Sequence, residues 1–257
     1  MNNIVDLNVY LSRMQNGLEE KLWWVKKIDA KKIVDFGCAD GTLLKHLHAI
    51  NPEYELVGVD IDDKMCQLAK ENVPTARIMT TREFMDSVED WDDALLVLSS
   101  VIHEIYSYET DPEHEIQALY KKGFKYIAIR DMFMSERDIK RSASYHDTTY
   151  VVNYSDEKQL HDFEKLWGHV GIVGNMCHFL LKYRYIENWD RECCENYFPI
   201  SLEQFLNNVP EQYAAIHIEH YCHAYTKTRV RNDFFINFNE RTHANILLTR
   251  KPRCDLF

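Results

Sequence analysis

The chain has 257 residues, enough to bury a substantial core in one domain that carries an insertion. Its formal charge of −11, from 30 basic and 41 acidic side chains, argues against a general polyanion binder, which needs a basic face. Seven cysteines without C-x-x-C spacing, no apolar run near the ~18 residues of a membrane span, and a start lacking a basic end before an apolar core leave the expectation of a reduced, cytoplasmic protein.

From Leu7 to Ile28 the apolar and aromatic positions Val9, Tyr10, Leu11, Met14, Leu18, Leu22, Trp23 and Val25 recur at helical spacing, interrupted near Asn16-Gly17. One or two helices therefore lead into the first strand. Strands and helices then alternate as a parallel sheet requires. The pattern predicts strands over 33–36, 55–60, 76–80, 94–99 and 126–130, with helices over 42–49, 64–71 and 113–122. Both faces of the fourth strand are apolar, which indicates burial.

After Asp131 the pattern changes. Helices are predicted from Ser155 to Trp167, Asn175 to Tyr185 and Ser201 to Val209, with Gly168, Gly171 and Gly174 breaking the chain between the first two. Strands over 214–221 and 244–249 suit an antiparallel hairpin closing the sheet.

Ile33-Val34-Asp35-Phe36-Gly37-Cys38-Ala39-Asp40-Gly41-Thr42 is a short apolar strand running into a glycine turn that opens a helix. The second strand ends in an acid, Asp60. This is the layout of an adenosine-binding α/β fold, in which glycines admit the ligand to bare backbone and the acid accepts from ribose hydroxyls. A dinucleotide fingerprint, G-x-G-x-x-G, would place glycine at three positions that here hold Gly37, Ala39 and Thr42. Two of the three are missing, which disfavours a nicotinamide or flavin dinucleotide and favours a nucleoside without phosphates, S-adenosylmethionine.

The chain at this point resembles the class I S-adenosylmethionine-dependent methyltransferases. Asp35-Phe36-Gly37-Cys38-Ala39-Asp40-Gly41 is similar to the family's first motif, D-x-G-C-G-x-G, with Ala39 in place of the middle glycine. Asp60 matches the acid ending the second strand. The stretch from Asp93 to Glu104 resembles the fourth-strand motif, and Tyr126 to Asp131 the fifth strand. The resemblance covers roughly residues 20–134 and a final strand near 244–249, and none of residues 135–215. It implies a Rossmann-like class I methyltransferase fold, a seven-stranded, mostly parallel sheet with a helical cap inserted between strands five and six. The domains expected are an α/β core of residues 1–134 and 214–257, with an N-terminal helical lid over 1–28, and a substrate cap over 135–213. It implies that Asp35, Gly37, Cys38, Gly41, Asp60, Ile61, Ser99 and Ser100 bind the cofactor.

Methyl transfer from a sulfonium is an in-line displacement in which the protein aligns the acceptor and, for a hydroxyl or protonated amine, removes a proton. His103, just past the fourth strand, has a side chain suited to base work near neutral pH. Asp131, at the end of the fifth, is a second candidate base or orienting group; a pair with Arg130 is the alternative for it.

For the acceptor, Tyr10 in the lid and Arg184, Tyr185 and Trp189 in the aromatic and basic stretch 182–191 are the candidate contacts. Lys227, Arg229 and Arg231, alternating on a strand or loop, are the candidate phosphate contacts for a nucleic-acid acceptor. Residues 135–257 carry 15 basic and 17 acidic side chains against 15 and 24 in residues 1–134, so a local basic patch has room there. His217 and Glu219 share a strand face, but no third and fourth ligand at ordinary zinc spacing accompanies them, and no metal is assigned.

The reading is thus a methyltransferase acting on an oxygen or nitrogen acceptor, more a small molecule than an RNA or other nucleic acid. The third alternative is a cofactor-binding partner protein that has lost catalysis, to which Ala39 lends some support.

Overall fold

The structure, a computed structural model, describes residues 18–252. The expected helices before Leu18, with Tyr10 and Met14, lie outside the described residues.

Seven strands form one sheet: β1 (Lys32–Phe36), β2 (Glu55–Asp60), β3 (Arg77–Thr80), β4 (Leu95–Ser99), β5 (Tyr126–Met132), β6 (Tyr213–Tyr221) and β7 (His243–Arg250), in the order β3-β2-β1-β4-β5-β7-β6. The first five pair in parallel. The Arg250 N–H donates to Lys125 O at one end of the β5–β7 ladder and the Phe133 N–H to Thr242 O at the other, so β7 runs antiparallel to β5. The bonds Lys251 N–H to Gln212 O and Thr242 N–H to Tyr221 O show the same reversal between β7 and β6. This is the mostly parallel class I arrangement, closed by a hairpin.

Contacts divide the chain into two compact units. Within the described residues, one takes 18–131, 209–219 and 245–252, and the other 132–208 and 220–244. The first is the α/β unit. Ile33, Val34, Leu95 and Leu96 in its central strands are fully buried, as a parallel sheet covered on both faces requires. Helix Thr42–Ile50 sends Leu43, Leu44 and Leu47 inward, and helix Asp63–Asn72 starts on Asp62, whose carboxylate accepts from the Lys64 and Met65 N–H groups. Thr80 and Glu83 make a capping box that begins helix Thr81–Asp86, a turn the sequence analysis leaves unassigned.

The second unit is mainly helical, built around Val151, Phe163, Phe179, Leu180, Val230 and Phe234. Three expectations change here. Gly174 does not break the chain: it lies inside helix Val173–Lys182, where a Cβ would stand 2.5 Å from the Ile139 carbonyl oxygen, so its bare backbone permits a close approach. Residues 220–244 belong with this unit, although the sequence boundaries place them in the α/β core. Lys227, Arg229 and Arg231 lie on helix Ala224–Phe234 and not on a strand or loop, because the His223 side chain accepts from the Thr226 N–H and caps that helix. Helical geometry sets Arg229 on the side opposite the other two.

Candidate functional site

The glycine turn after β1 is held from beneath by β2: the Gly37 and Cys38 N–H groups both donate to Val59 O, at 2.8 and 2.9 Å. Gly37, Ala39 and Gly41 have φ of 81, 46 and 78°. Gly41 serves packing, since a Cβ there would come within 3.2 Å of Ala69 Cβ and 3.3 Å of Val73 Cγ2. Ala39 keeps the left-handed conformation of the glycine it replaces, and its N–H donates to Asp60 Oδ2 at 2.8 Å. The turn is thus preserved despite the substitution. Gly58, which the sequence analysis passes over, lies beneath it: a Cβ would meet Ile78 Cδ1 and Leu44 Cδ1 at 2.7 Å and Cys38 Sγ at 2.9 Å.

A crevice opens at this turn, lined by Lys21, Asp35, Gly37, Cys38, Asp40 and Ser99 among others. Asp35 is buried at the end of β1, and that burial pushes its carboxyl up to about 7, with Lys21 opposing the rise and Asp60 adding to it. Burial likewise raises Asp60, against the hydrogen bonds it accepts from Asp62 and Ala39. A carboxylate has about four lone-pair sites, so Asp60 retains acceptor capacity for a ligand hydroxyl on each oxygen. Ser99 Oγ is sealed from solvent and has no hydrogen-bond partner among the described residues.

Two carboxylates, an unsatisfied hydroxyl and a turn of left-handed backbone fit an adenosine-bearing amino acid. The residues that would hold it are Asp35, Gly37, Cys38 and Ser99 at the amino-acid end and Asp60 at the ribose. Ile61, beside Asp60, is 72% exposed and presents apolar surface. Asp40, Thr42 and Lys21 also line the crevice; the first two lie within the quoted motif but were not singled out.

Beyond β4 the backbone passes through Ser100 at φ 60°, its N–H donating to Arg130 O at 2.8 Å, and enters helix Ile102–Tyr108. This brings His103 against Asp131, with Nδ1 2.6 Å from Oδ1 and both side chains buried. The other Asp131 oxygen accepts from the Ile102 N–H at 2.6 Å. Arg130 does not take Asp131: its Nη2 pairs with Glu20 at 2.8 Å, and Nη1 lies 3.4 Å from Ser100 Oγ. A carboxylate only accepts, so Nδ1 is the nitrogen that carries the proton of this bond.

The acceptor candidates are not brought together. Arg184 forms a bidentate pair with Asp233, and Trp189 is buried in the helical unit's core, its Nε1 3.4 Å from Asp162. Tyr185 is half-buried at the start of the turn Ile186–Asn188. Arg229 is buried as well, with Nη2 donating to Leu180 O at 2.5 Å, which leaves Lys227 and Arg231 as the exposed pair. His217 stacks on Trp23 at 5.3 Å and stands 3.9 Å from Glu219, which accepts from Asn245 Nδ2.

Lys182 is fully buried, donating to Glu192 O and Glu195 O at 2.6 Å each and lying 4.4 Å from the Tyr197 ring. Burial brings it down to about 8, against the attraction of the Glu192 and Glu195 carboxylates. The Tyr197 hydroxyl donates to Glu192, and Arg191 bridges Glu192 and Glu195.

Residues 33–122 match the model of the methyltransferase domain family. No curated protein matches the chain. Among solved structures, the plantazolicin methyltransferase BpumL in complex with a triazolic desmethylPZN analog and SAH is similar at 11% identity and TM-score 0.54, over 95% of this chain and 89% of that one. The MccD protein is similar at 10% identity and TM-score 0.53, over 90% and 96%. The PH0226 protein from Pyrococcus horikoshii OT3 is similar at 12% identity and TM-score 0.51, over 97% and 95%. At these identities the likeness is one of fold.

Proposed function

We propose that this chain, whose residues 33–122 match the methyltransferase domain family, is a class I S-adenosylmethionine-dependent enzyme that methylates an oxygen or nitrogen of a small-molecule acceptor, with His103 as the general base. The observation that carries this reading is the buried 2.6 Å pair of His103 Nδ1 and Asp131 Oδ1 just past β4, whose last residue, Ser99, lines the crevice. S-adenosylmethionine, bound there, supplies a methyl group on a positively charged leaving group. Asp60 and the backbone of the turn orient the nucleoside; Asp35 meets the ammonium. Asp131 fixes the imidazole ring and its tautomer and steadies the imidazolium formed when Nε2 takes the acceptor's proton.

The −11 charge supports a metabolite over a nucleic acid. So does the separation of Arg229 from Lys227 and Arg231. The helical unit, which the cofactor turn does not require, is the part of the chain assigned to acceptor selection. The test is label transfer from methyl-labelled S-adenosylmethionine to cell extract divided into metabolite and RNA fractions. The reading expects label in the metabolite fraction, abolished in His103→Gln; label in RNA, weakening steeply with salt, would overturn the acceptor assignment. Label persisting in His103→Gln would overturn the base.

A further inference from the structure

The two edges of the sheet are built differently. On one side it ends in β3, four residues long, whose exposed Arg77 is held by Glu89 at 2.6 Å. Shortness and charge are the usual guards of an edge strand, whose free N–H and C=O groups otherwise pair with another chain. On the other side it ends in β6, nine residues long, which contains no Lys, Arg, Pro or Gly. Among the described residues β6 has β7 as its neighbour on one side and no strand on the other. Ala215, Ile216, Ile218 and Glu219, all within the α/β unit, are exposed, the two isoleucines at 53 and 47%.

Side chains alternate along a strand, so Ile216 and Ile218 share one face and His217 and Glu219 the other. Two copies paired antiparallel about a two-fold axis at Ile218 set Ile218 against Ile218, with each Ile216 on the diagonal. On the opposite face the same axis sets each His217 against Glu219 of the other copy, an imidazole against a carboxylate, twice over. An axis one residue earlier sets His217 on His217 and leaves Glu219 facing Ala215. The axis at Ile218 therefore matches apolar with apolar and acid with imidazole.

We propose that β6 is a self-association edge: two copies of this chain join along it as an antiparallel, two-fold dimer with Ile218 on the axis, turning two seven-stranded sheets into one continuous sheet. The occupant is a second copy because the strand's own sequence supplies both halves of each cross-strand pair, which an arbitrary extended peptide does not. One strand pair is a small interface, so the dimer dissociates on dilution. The inference is independent of the methyltransferase reading, since no residue of the crevice takes part.

The test is sedimentation equilibrium of the full chain from about 1 to 100 µM. The proteins are wild type, Ile218→Lys, Ile218→Glu, an equimolar mixture of those two, and the control Ile50→Lys, each checked for an unchanged melting temperature. Ile50 is similarly exposed, at 51%, on helix Thr42–Ile50. Wild type is expected to rise towards twice the chain mass with concentration, and Ile50→Lys to follow it. Ile218→Lys and Ile218→Glu are each expected to stay monomeric, because the axis sets like charges face to face, and their mixture to regain the dimer. A wild type that is monomeric throughout, the result for an edge that takes a foreign strand, would overturn the proposal. So would a dimer that survives in Ile218→Lys, which lies on another surface, or a mixture that stays monomeric.

Discussion

His103 and Asp131 are joined by a 2.6 Å hydrogen bond between Nδ1 and Oδ1, and the same carboxylate holds the Ile102 N–H with its other oxygen. One side chain at the end of β5 thereby fixes both the imidazole and the start of the helix that carries it. In the proposed reaction His103 is the base, so its removal should lower turnover without loosening the cofactor. In His103→Gln, kcat is expected to fall by about 10²- to 10⁴-fold, with S-adenosylhomocysteine affinity within about twofold of wild type. Asp131→Asn should lose a similar factor and shift the pH–rate profile, since the amide presents a different partner to Nδ1. Single-turnover rates and calorimetry across pH separate the two effects.

Cofactor affinity should depend on pH through Asp35. Its carboxyl is raised to about 7 by burial, so it is mostly protonated at pH 6 and mostly ionised at pH 8. If the ionised form meets the ligand ammonium, S-adenosylhomocysteine should bind about tenfold more tightly at pH 8 than at pH 6. Asp35→Asn should bind weakly and lose the dependence; titration at both pH values reads the outcome.

Two small substitutions probe the turn. Ala39→Gly should raise stability by about 0.5–1 kcal/mol in urea unfolding, because the left-handed conformation costs alanine more than the flexibility of glycine costs the fold. Cofactor affinity should be kept. Gly58→Ala should instead destabilise by about 1–3 kcal/mol, since the added Cβ overlaps Leu44, Ile78 and Cys38. It should also weaken the cofactor by displacing the Cys38 backbone.

Lys182 gives a stability signature at alkaline pH. Its folded pKa, about 8, lies below the ordinary 10.5 of the unfolded chain, so between those values the unfolded state holds one more proton and stability rises with pH. Relative to Lys182→Met, the wild-type unfolding free energy should gain about 1.4 kcal/mol per pH unit over that window. Parallel urea titrations of the two proteins from pH 7 to 10.5 measure the difference. A constant difference would show that the buried ammonium keeps its ordinary affinity for the proton.

The strand ending at Asp35-Phe36, the turn at Gly37 and the second strand ending in Asp60 were legible because each is a local pattern in the sequence. His103 and Asp131 could each be named from the strand they follow, but their pairing lies across 28 residues of chain, and the alternative partner for Asp131, Arg130, turns instead to Glu20. Lys21 carries no local mark, since only the fold brings it to the crevice. Trp189 and Arg229 were misleading because amphipathic side chains in a polar-looking stretch are buried by tertiary packing. Helix Ala224–Phe234 was missed because its cap is a histidine, outside the usual Ser, Thr, Asp and Asn signals.

Neither unit is a continuous length of polypeptide. The α/β core includes Leu247, and the helical core includes Val230, Phe234 and Phe238. On the ribosome, therefore, the helical core waits for residues 230–238 and the α/β core for Leu247 before either can close. A nascent chain halted near residue 225 would display two open apolar faces at once, and excising residues 132–208 and 220–244 for engineering would take four cuts and two splices.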